Sequence, residues 1–279
     1  MDYDVVRDEC LADHDQSVSG STNFFRCKLL ISHSDGTFSL SNARARKARQ
    51  DEVVSKLLGG KRDGYFVDLA ANDAVRISNT YALETKYGWK GLCIEANPTY
   101  WSSLSYRKCD VVGAVIGRRE MDEVRFNFFP RRQPARGGIV GRGFDNNDGD
   151  GDGKNGDGDD AIKPRYTVTL RRVFHKFNAP SVVDYLSLDV EGAESFILDN
   201  FPFGEYRFNL LTVERPNEQL SQLLERNGYV LLKSLKKKWG ETLWAHRSVE
   251  ASLNKSALSE IDTENFVYRE KQRRQSKMA

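Results

Sequence analysis

Gly64-Tyr65-Phe66-Val67-Asp68-Leu69-Ala70-Ala71-Asn72-Asp73-Ala74 sets a short apolar run directly against a polar loop. Such a run suits a strand buried on both faces, as in a parallel sheet. Beyond the loop, Ser78, Asn79 or Thr80 can cap a helix. Tyr81, Leu83 and Tyr87 form that helix's apolar side, and Gly88 stops it. Gly91-Leu92-Cys93-Ile94-Glu95 is a second short strand. Pro98 then opens a helical turn that packs Tyr100, Trp101 and Leu104 inward.

The alternation continues outward from this unit. A short helix is expected over 50–58, before the first strand. A third strand is expected over 110–116 and a half-buried one over 123–129. A fourth core strand covers 182–190, a helix 195–203, a fifth strand 208–213 and an amphipathic helix 217–227. Segments 229–235 and 242–247 read as a hairpin around Trp239-Gly240. Strands alternating with helices predict an α/β fold. The expected sheet is seven-stranded and mostly parallel, with a C-terminal antiparallel hairpin and helices on both faces. This domain spans 49–250, with a Gly/Asp-rich insertion at 137–160. A polar, partly disordered extension (1–48) precedes it, and a polar basic tail (251–279) follows.

Composition narrows the classes. The 279 residues carry 42 Lys+Arg against 40 Asp+Glu, a net charge of +2. That balance removes the simple electrostatic argument for nucleic-acid binding. The 15 Phe, 11 Tyr and 4 Trp argue against wholesale disorder. No apolar run reaches the roughly 18–20 residues that span a bilayer, so no stable membrane insertion is expected. Met1-Asp2-Tyr3-Asp4 leads into no apolar stretch, and a cytoplasmic location is expected. The four cysteines form no CxxC pair. Cys93 reads as a buried reduced thiol, while Cys10 and Cys27 could pair in a secreted context. Asp148-Gly149-Asp150-Gly151-Asp152-Gly153 resembles the start of a calcium loop. It has Asp159 where a Glu is usual, Asn155 where an apolar residue is usual, and no flanking helices. It reads as a flexible acidic insertion, and no metal site is expected.

In a doubly wound sheet, ligands sit outside the carboxyl ends of the strands. Asp68 and Glu95 end two such strands, a placement suited to a nucleoside, with Glu95 on the ribose. The plainer reading is a polar strand end with one solvated Glu. A dinucleotide would want glycines beside its pyrophosphate, and the loop has none. Asp68 and Asp73 suit a cation instead, and S-adenosylmethionine carries an ammonium and a sulfonium but no phosphate. Asp189 and Glu191 share one face at the end of the fourth strand, where a carboxylate base would help a hydroxyl attack. Glu214 is a second-rank candidate. Glu194 reads as a first-turn acid favoured by the helix dipole, and His246 as a surface or packing residue. Arg131, Arg132 and Arg136 suit an acidic acceptor or, equally well, a solvated loop.

The segments 64–80, 88–98 and 186–194, with Leu211-Thr212-Val213-Glu214-Arg215-Pro216, resemble the motifs of the FkbM family of S-adenosylmethionine-dependent methyltransferases. The resemblance covers about 50–248, with its motifs in order. It implies a Rossmann-like class I methyltransferase fold and S-adenosyl-L-methionine as cofactor. By carry-over, Asp68, Ala70, Asn72 and Asp73 hold the methionine part, Glu95 the ribose with Asn97 beside it, and Ala114 and Val115 flank the adenine. Asp189 and Glu191 face the transferred methyl group. The family favours O-methylation of a hydroxyl on a small molecule or sugar, so a small-molecule or glycan acceptor is expected. One departure stands out: Ala70, Ala71 and Ala74 occupy a loop where many methyltransferases of this fold carry glycines. A left-handed backbone there costs Ala on the order of 1 kcal/mol. That motivates the alternative of a catalytically weak or inactive cofactor- or glycan-binding module.

Overall fold

The computed structural model describes residues 10–12, 25–27, 50–128, 136–146, 162–234 and 241–259. Arg131, Arg132, the calcium-like segment, the Lys236-Lys237-Lys238 tip and most of the tail lie outside the described residues. In chain order the first elements are β1 (Cys10–Ala12), β2 (Phe25–Cys27), α1 (Gln50–Leu57), β3 (Tyr65–Leu69), α2 (Tyr81–Tyr87), β4 (Lys90–Ile94), α3 (Trp101–Leu104) and β5 (Asp110–Val112). Next come β6 (Val115–Gly117), β7 (Glu123–Asn127), β8 (Gly138–Val140), β9 (Ile162–Thr169) and α4 (Leu170–Lys176). The chain continues with β10 (Val182–Leu188), α5 (Glu194–Leu198), β11 (Arg207–Val213), α6 (Glu218–Arg226), β12 (Tyr229–Ser234), β13 (Thr242–His246) and α7 (Arg247–Glu250).

The larger sheet has nine strands in the order β1-β2-β5-β4-β3-β10-β11-β13-β12. Its five central strands run parallel. β13 and β12 close one edge antiparallel, and β2 and β1 the other. The sheet is therefore mixed, and the expectation of seven strands is corrected to nine. Both additional strands lie inside the N-terminal extension and are three residues long. So short a run carries no readable periodicity.

A second sheet of four strands, β6-β9-β7-β8, was not expected. The single strand anticipated over 110–116 divides after Val112, and its two halves join different sheets. β9 was missed because Lys163, Pro164, Arg165 and Tyr166 are exposed, so the segment reads as polar.

Side chains alternate across the large sheet and pack on both faces. Val67, Leu69, Leu92, Ile94, Leu186 and Leu188 meet residues of α4, α5 and α6. Phe66, Cys93, Val111, Tyr185 and Leu210 meet residues of α1, α2 and α3. Local signals delimit the helices. Thr169 and Asn217 cap α4 and α6, accepting hydrogen bonds from Arg172 N and Leu220 N. Gly88, left-handed at φ 74°, ends α2. Tight contacts hold β3 to β4: a β-carbon on Gly91 would lie 2.2 Å from the Phe66 carbonyl oxygen.

Cysteine chemistry differs from the expectation. Cys93 in β4 and Cys109 just before β5 are joined in a disulfide, with their Cα atoms 5.9 Å apart. The sixteen-residue separation in sequence hid a pairing that two adjacent parallel strands create. Cys10 stands opposite Cys27 in the β1–β2 register. The expectation of a reduced thiol at Cys93 is thereby corrected, and disulfides persist in oxidising surroundings. Among the described residues, no helix is long and apolar enough to cross a membrane.

Gly91→Ala should destabilise the fold by about 2 kcal/mol or more, because the added methyl meets backbone rather than a flexible side chain. Chemical denaturation would measure this, and a midpoint within error of the parent would contradict it.

Candidate functional site

Leu69, Ile94, Leu188 and Val213 stand in register on four adjacent strands. The next residues, Ala70, Glu95, Asp189 and Glu214, therefore leave the sheet at the same edge. The chain steps outward from β3 to β4 and β5, then returns to β10 on the other side of β3. That reversal is where open parallel sheets offer a crevice to ligands.

A cleft lies at this edge. Ala70 and Asn72 form one wall, Glu95 and Ala96 a second, and Ala114, Val115 and Ile116 a third. Phe126, Gly138 and Ile139 come from the smaller sheet, Val190 and Ala193 from the turn after β10, and Ile197 from α5. Among the described residues of the lining, Glu95 is the one charged side chain, and neither Lys nor Arg is present.

Glu95 is 5% exposed. Its Oε2 accepts from Asn72 N at 2.8 Å and its Oε1 from Asn97 N at 2.7 Å. Burial pushes its pKa up to about 7, against the opposing pull of those two bonds. Each oxygen retains a lone pair, so the carboxyl can still receive two hydroxyl donors. The facing loop is left-handed at Ala70 (φ 62°) and at Asn72 (φ 54°). Asn72 Nδ2 donates to Ala70 O at 2.8 Å, and Ala71 N to Ile94 O at 3.1 Å. These bonds hold a conformation costing roughly 1–2 kcal/mol per non-glycine residue.

Of the residues expected around the cofactor, Ala70, Asn72, Glu95, Ala114 and Val115 line the cleft. Asp68, Asp73 and Asn97 stand behind it. Asp68 Oδ2 accepts from Thr80 Oγ1 at 2.7 Å. Asp73 Oδ1 accepts from Val75 N and Arg76 N. Asn97 Oδ1 accepts from Thr99 N, and its Nδ2 donates to Phe128 O. These three brace the loops that form the walls.

Beside the cleft, carboxylate oxygens of Asp189, Glu191 and Glu214 lie within 4.8 Å of one another. Arg215 supplies the cation for this cluster. Its Nη2 pairs with Asp145, with Glu191 at 3.5 Å and with Glu214 at 3.2 Å. Glu214 is 8% exposed. Burial raises its pKa most, followed by its hydrogen bond with Asp189 and the charges of Asp189 and Glu191; Arg215 opposes them. Glu214 therefore keeps its proton well above the ordinary carboxylate range. Glu191 (φ 54°) and Arg215 (φ 42°) are also left-handed, so both strand-end turns are strained.

Glu194 is buried, and its Oε1 accepts from Val190 N at 3.1 Å and Gly192 N at 3.4 Å. It buttresses the turn carrying Asp189 and Glu191, and burial pushes it up to about 7. His246 packs its ring on Tyr229 and contacts Ser248 through Nδ1, a packing role. Sequence reasoning missed Phe126, Ile139, Asp145 and the part played by Arg215. Arg215 adjoins Glu214 in the chain, but its pairing with Asp145 and Glu191 exists only after folding.

Residues 68–231 match the family model described as the methyltransferase FkbM domain. No curated protein matches the chain. Among solved structures, the chain is similar to precorrin-6y C5,15-methyltransferase from Geobacter metallireducens GS-15, at 13% identity and a TM-score of 0.34. That match covers 76% of this chain and 94% of the other.

Two outcomes follow from this geometry. Glu95, Glu194 and Glu214 hold protons when folded that the unfolded chain releases near pH 4.5. Their linkage makes stability fall as pH rises from about 4.5 through about 7 for Glu95 and Glu194, and on to about 9 for Glu214. Thermal melts across that range would show it, and Glu194→Gln should flatten the slope. Ala70→Gly should leave stability unchanged or raise it by up to about 1 kcal/mol, whereas Ala71→Gly should lower it by a similar amount. Equal losses in both would show that the left-handed turn carries no strain.

Proposed function

Because the chain belongs to the FkbM methyltransferase domain family, we propose that it transfers a methyl group from S-adenosyl-L-methionine to a hydroxyl of a small molecule or sugar. One observation carries the cofactor assignment. The cleft is apolar, has a buried carboxyl at the end of β4 and, among the described residues, offers no cationic side chain. A pyrophosphate would face Glu95 with no cation among the described lining residues to neutralise it. A nucleoside without phosphate fits: Ala114, Val115, Phe126 and Ile139 suit a flat base, and Glu95 suits two ribose hydroxyls.

When bound, S-adenosylmethionine supplies an electrophilic methyl group on a sulfonium that leaves readily. The chain's own residues do the remainder. Asn72 N and Asn97 N fix the direction of Glu95. In this reading Asp189 takes the proton of the attacking hydroxyl, and its hydrogen bond with Glu214 supports the assignment. Glu191 stands beside it, steadied by Arg215, and positions the acceptor. Phe126 and Ile139 help exclude water from the cleft. The strained Ala70 favours a second reading, in which the same cleft binds the cofactor or a glycan without efficient transfer.

Labelled S-adenosylmethionine incubated with metabolite extracts would identify the acceptor. With it in hand, Asp189→Asn should lower turnover about 10²–10⁴-fold with little change in cofactor affinity, and Glu191→Gln should act in the same direction. Glu95→Gln should weaken cofactor binding about tenfold, the scale of one hydrogen bond to a charged group. Unchanged turnover in both strand-end variants would remove the proposed base. Cofactor binding without transfer to any acceptor would favour the second reading.

A further inference from the structure

Arg107 is 7% exposed and makes no part of the cleft lining. It lies between α3 and β5, behind the first loop. Its Nε donates to Glu84 Oε2 at 3.2 Å, its Nη1 to Ser78 Oγ at 2.9 Å and to Ala74 O at 3.4 Å, and its Nη2 to Thr80 Oγ1 at 3.0 Å. The guanidinium also lies 5.6 Å from the Phe66 ring centre and 5.7 Å from that of Tyr81. Thr80 Oγ1 in turn donates to Asp68 Oδ2 at 2.7 Å. A planar fork thus reaches one carbonyl of the first loop and, through one hydroxyl, the carboxylate two residues before Ala70.

The backbone that carries Arg107 is held as firmly. Lys108 N and Cys109 N both donate to Glu84, at 3.1 Å each. Cys109 is joined to Cys93, two residues before Glu95. One covalent link therefore ties Arg107 to the strand that presents the ribose carboxyl. The strained turn at Ala70 and Asn72 is pinned on one side by Glu95 and Ile94. On the other side its pins are Arg107 and Thr80. Unfavourable backbone conformations persist only where the surroundings over-determine them.

We propose that Arg107, anchored by the Cys93–Cys109 disulfide, is a positioning residue that sets the first loop in its cofactor-binding conformation. This rests on the reading that the cleft binds S-adenosylmethionine. Lysine can keep the ion pair with Glu84, but it cannot span Ser78, Thr80 and Ala74 together. Thr80→Val keeps the shape of the side chain and removes the relay to Asp68.

The test compares the oxidised parent with Arg107→Lys, Thr80→Val and the Cys93→Ala/Cys109→Ala double variant. It measures S-adenosylmethionine affinity by calorimetry, thermal midpoint, and hydrogen exchange at Ala71 and Asn72. Arg107→Lys and Thr80→Val should remain folded, bind the cofactor about tenfold more weakly, and lose protection at both amides. Acceptor KM should be unchanged. The double variant should lose affinity in the same sense. Folded variants with parental affinity and parental protection would overturn the proposal and leave Arg107 a purely structural residue. A parent that fails to bind S-adenosylmethionine would instead overturn the cofactor reading. Amide protection would then still decide whether Arg107 orders the loop.

Discussion

Four strand ends in register impose the constraint on which this structure depends. Leu69, Ile94, Leu188 and Val213 align, and three of the next four residues are acidic or stand beside an acid. Like charges brought to one sheet edge repel strongly where water is scarce. The fold answers this in two ways. Glu95 takes two backbone N–H groups and lies apart from the others in the apolar cleft. Glu191 and Glu214 share one guanidinium with Asp145, Asp189 is hydrogen-bonded with Glu214, and burial leaves Glu214 holding a proton.

The turns that follow these strands carry the strain of this arrangement. Ala70, Asn72, Glu191 and Arg215 are left-handed, and each lies within three residues of a strand end at this sheet edge. Extended backbone at these places would carry the side chains away from the crevice. Buried polar groups hold the turns instead: Asn72 bonds back to Ala70, Glu194 braces the β10 turn, and Arg107 holds the far side of the first loop. The strained positions and the chemically useful ones coincide because both require the chain to turn sharply across the sheet edge.

Much of the central fold was legible because burial on both faces writes itself as short apolar runs. Tyr65–Leu69 and the run at 91–95 could be placed as strands, and Gly88 and Asn217 marked helix ends through their local chemistry. The smaller sheet was not legible. Its strands β7 and β9 are half-exposed, and buried β6 continues the apolar run of β5, so the two read as one strand. The division at Gly113 and Ala114 is decided by which partner each half meets. Glu95, Asp189 and Glu191 could be singled out because an acid directly after an apolar strand is unusual in chemistry and position. Phe126, Ile139 and Asp145 had no such signal: the first two reach the cleft only through strand pairing, and Asp145 meets Arg215 and Glu191 only through a loop contact.

By itself, then, the sequence determined the α/β alternation, the strand-end carboxylates and the absence of a phosphate-binding glycine loop, because each is written in neighbouring residues. Tertiary structure alone decided that Cys93 meets Cys109, that Arg107 supports a loop more than thirty residues away in the chain, and that Arg215 serves three carboxylates. Those contacts depend on strand order and register. A chain encodes them only through the packing of its whole core, so no local pattern announces them.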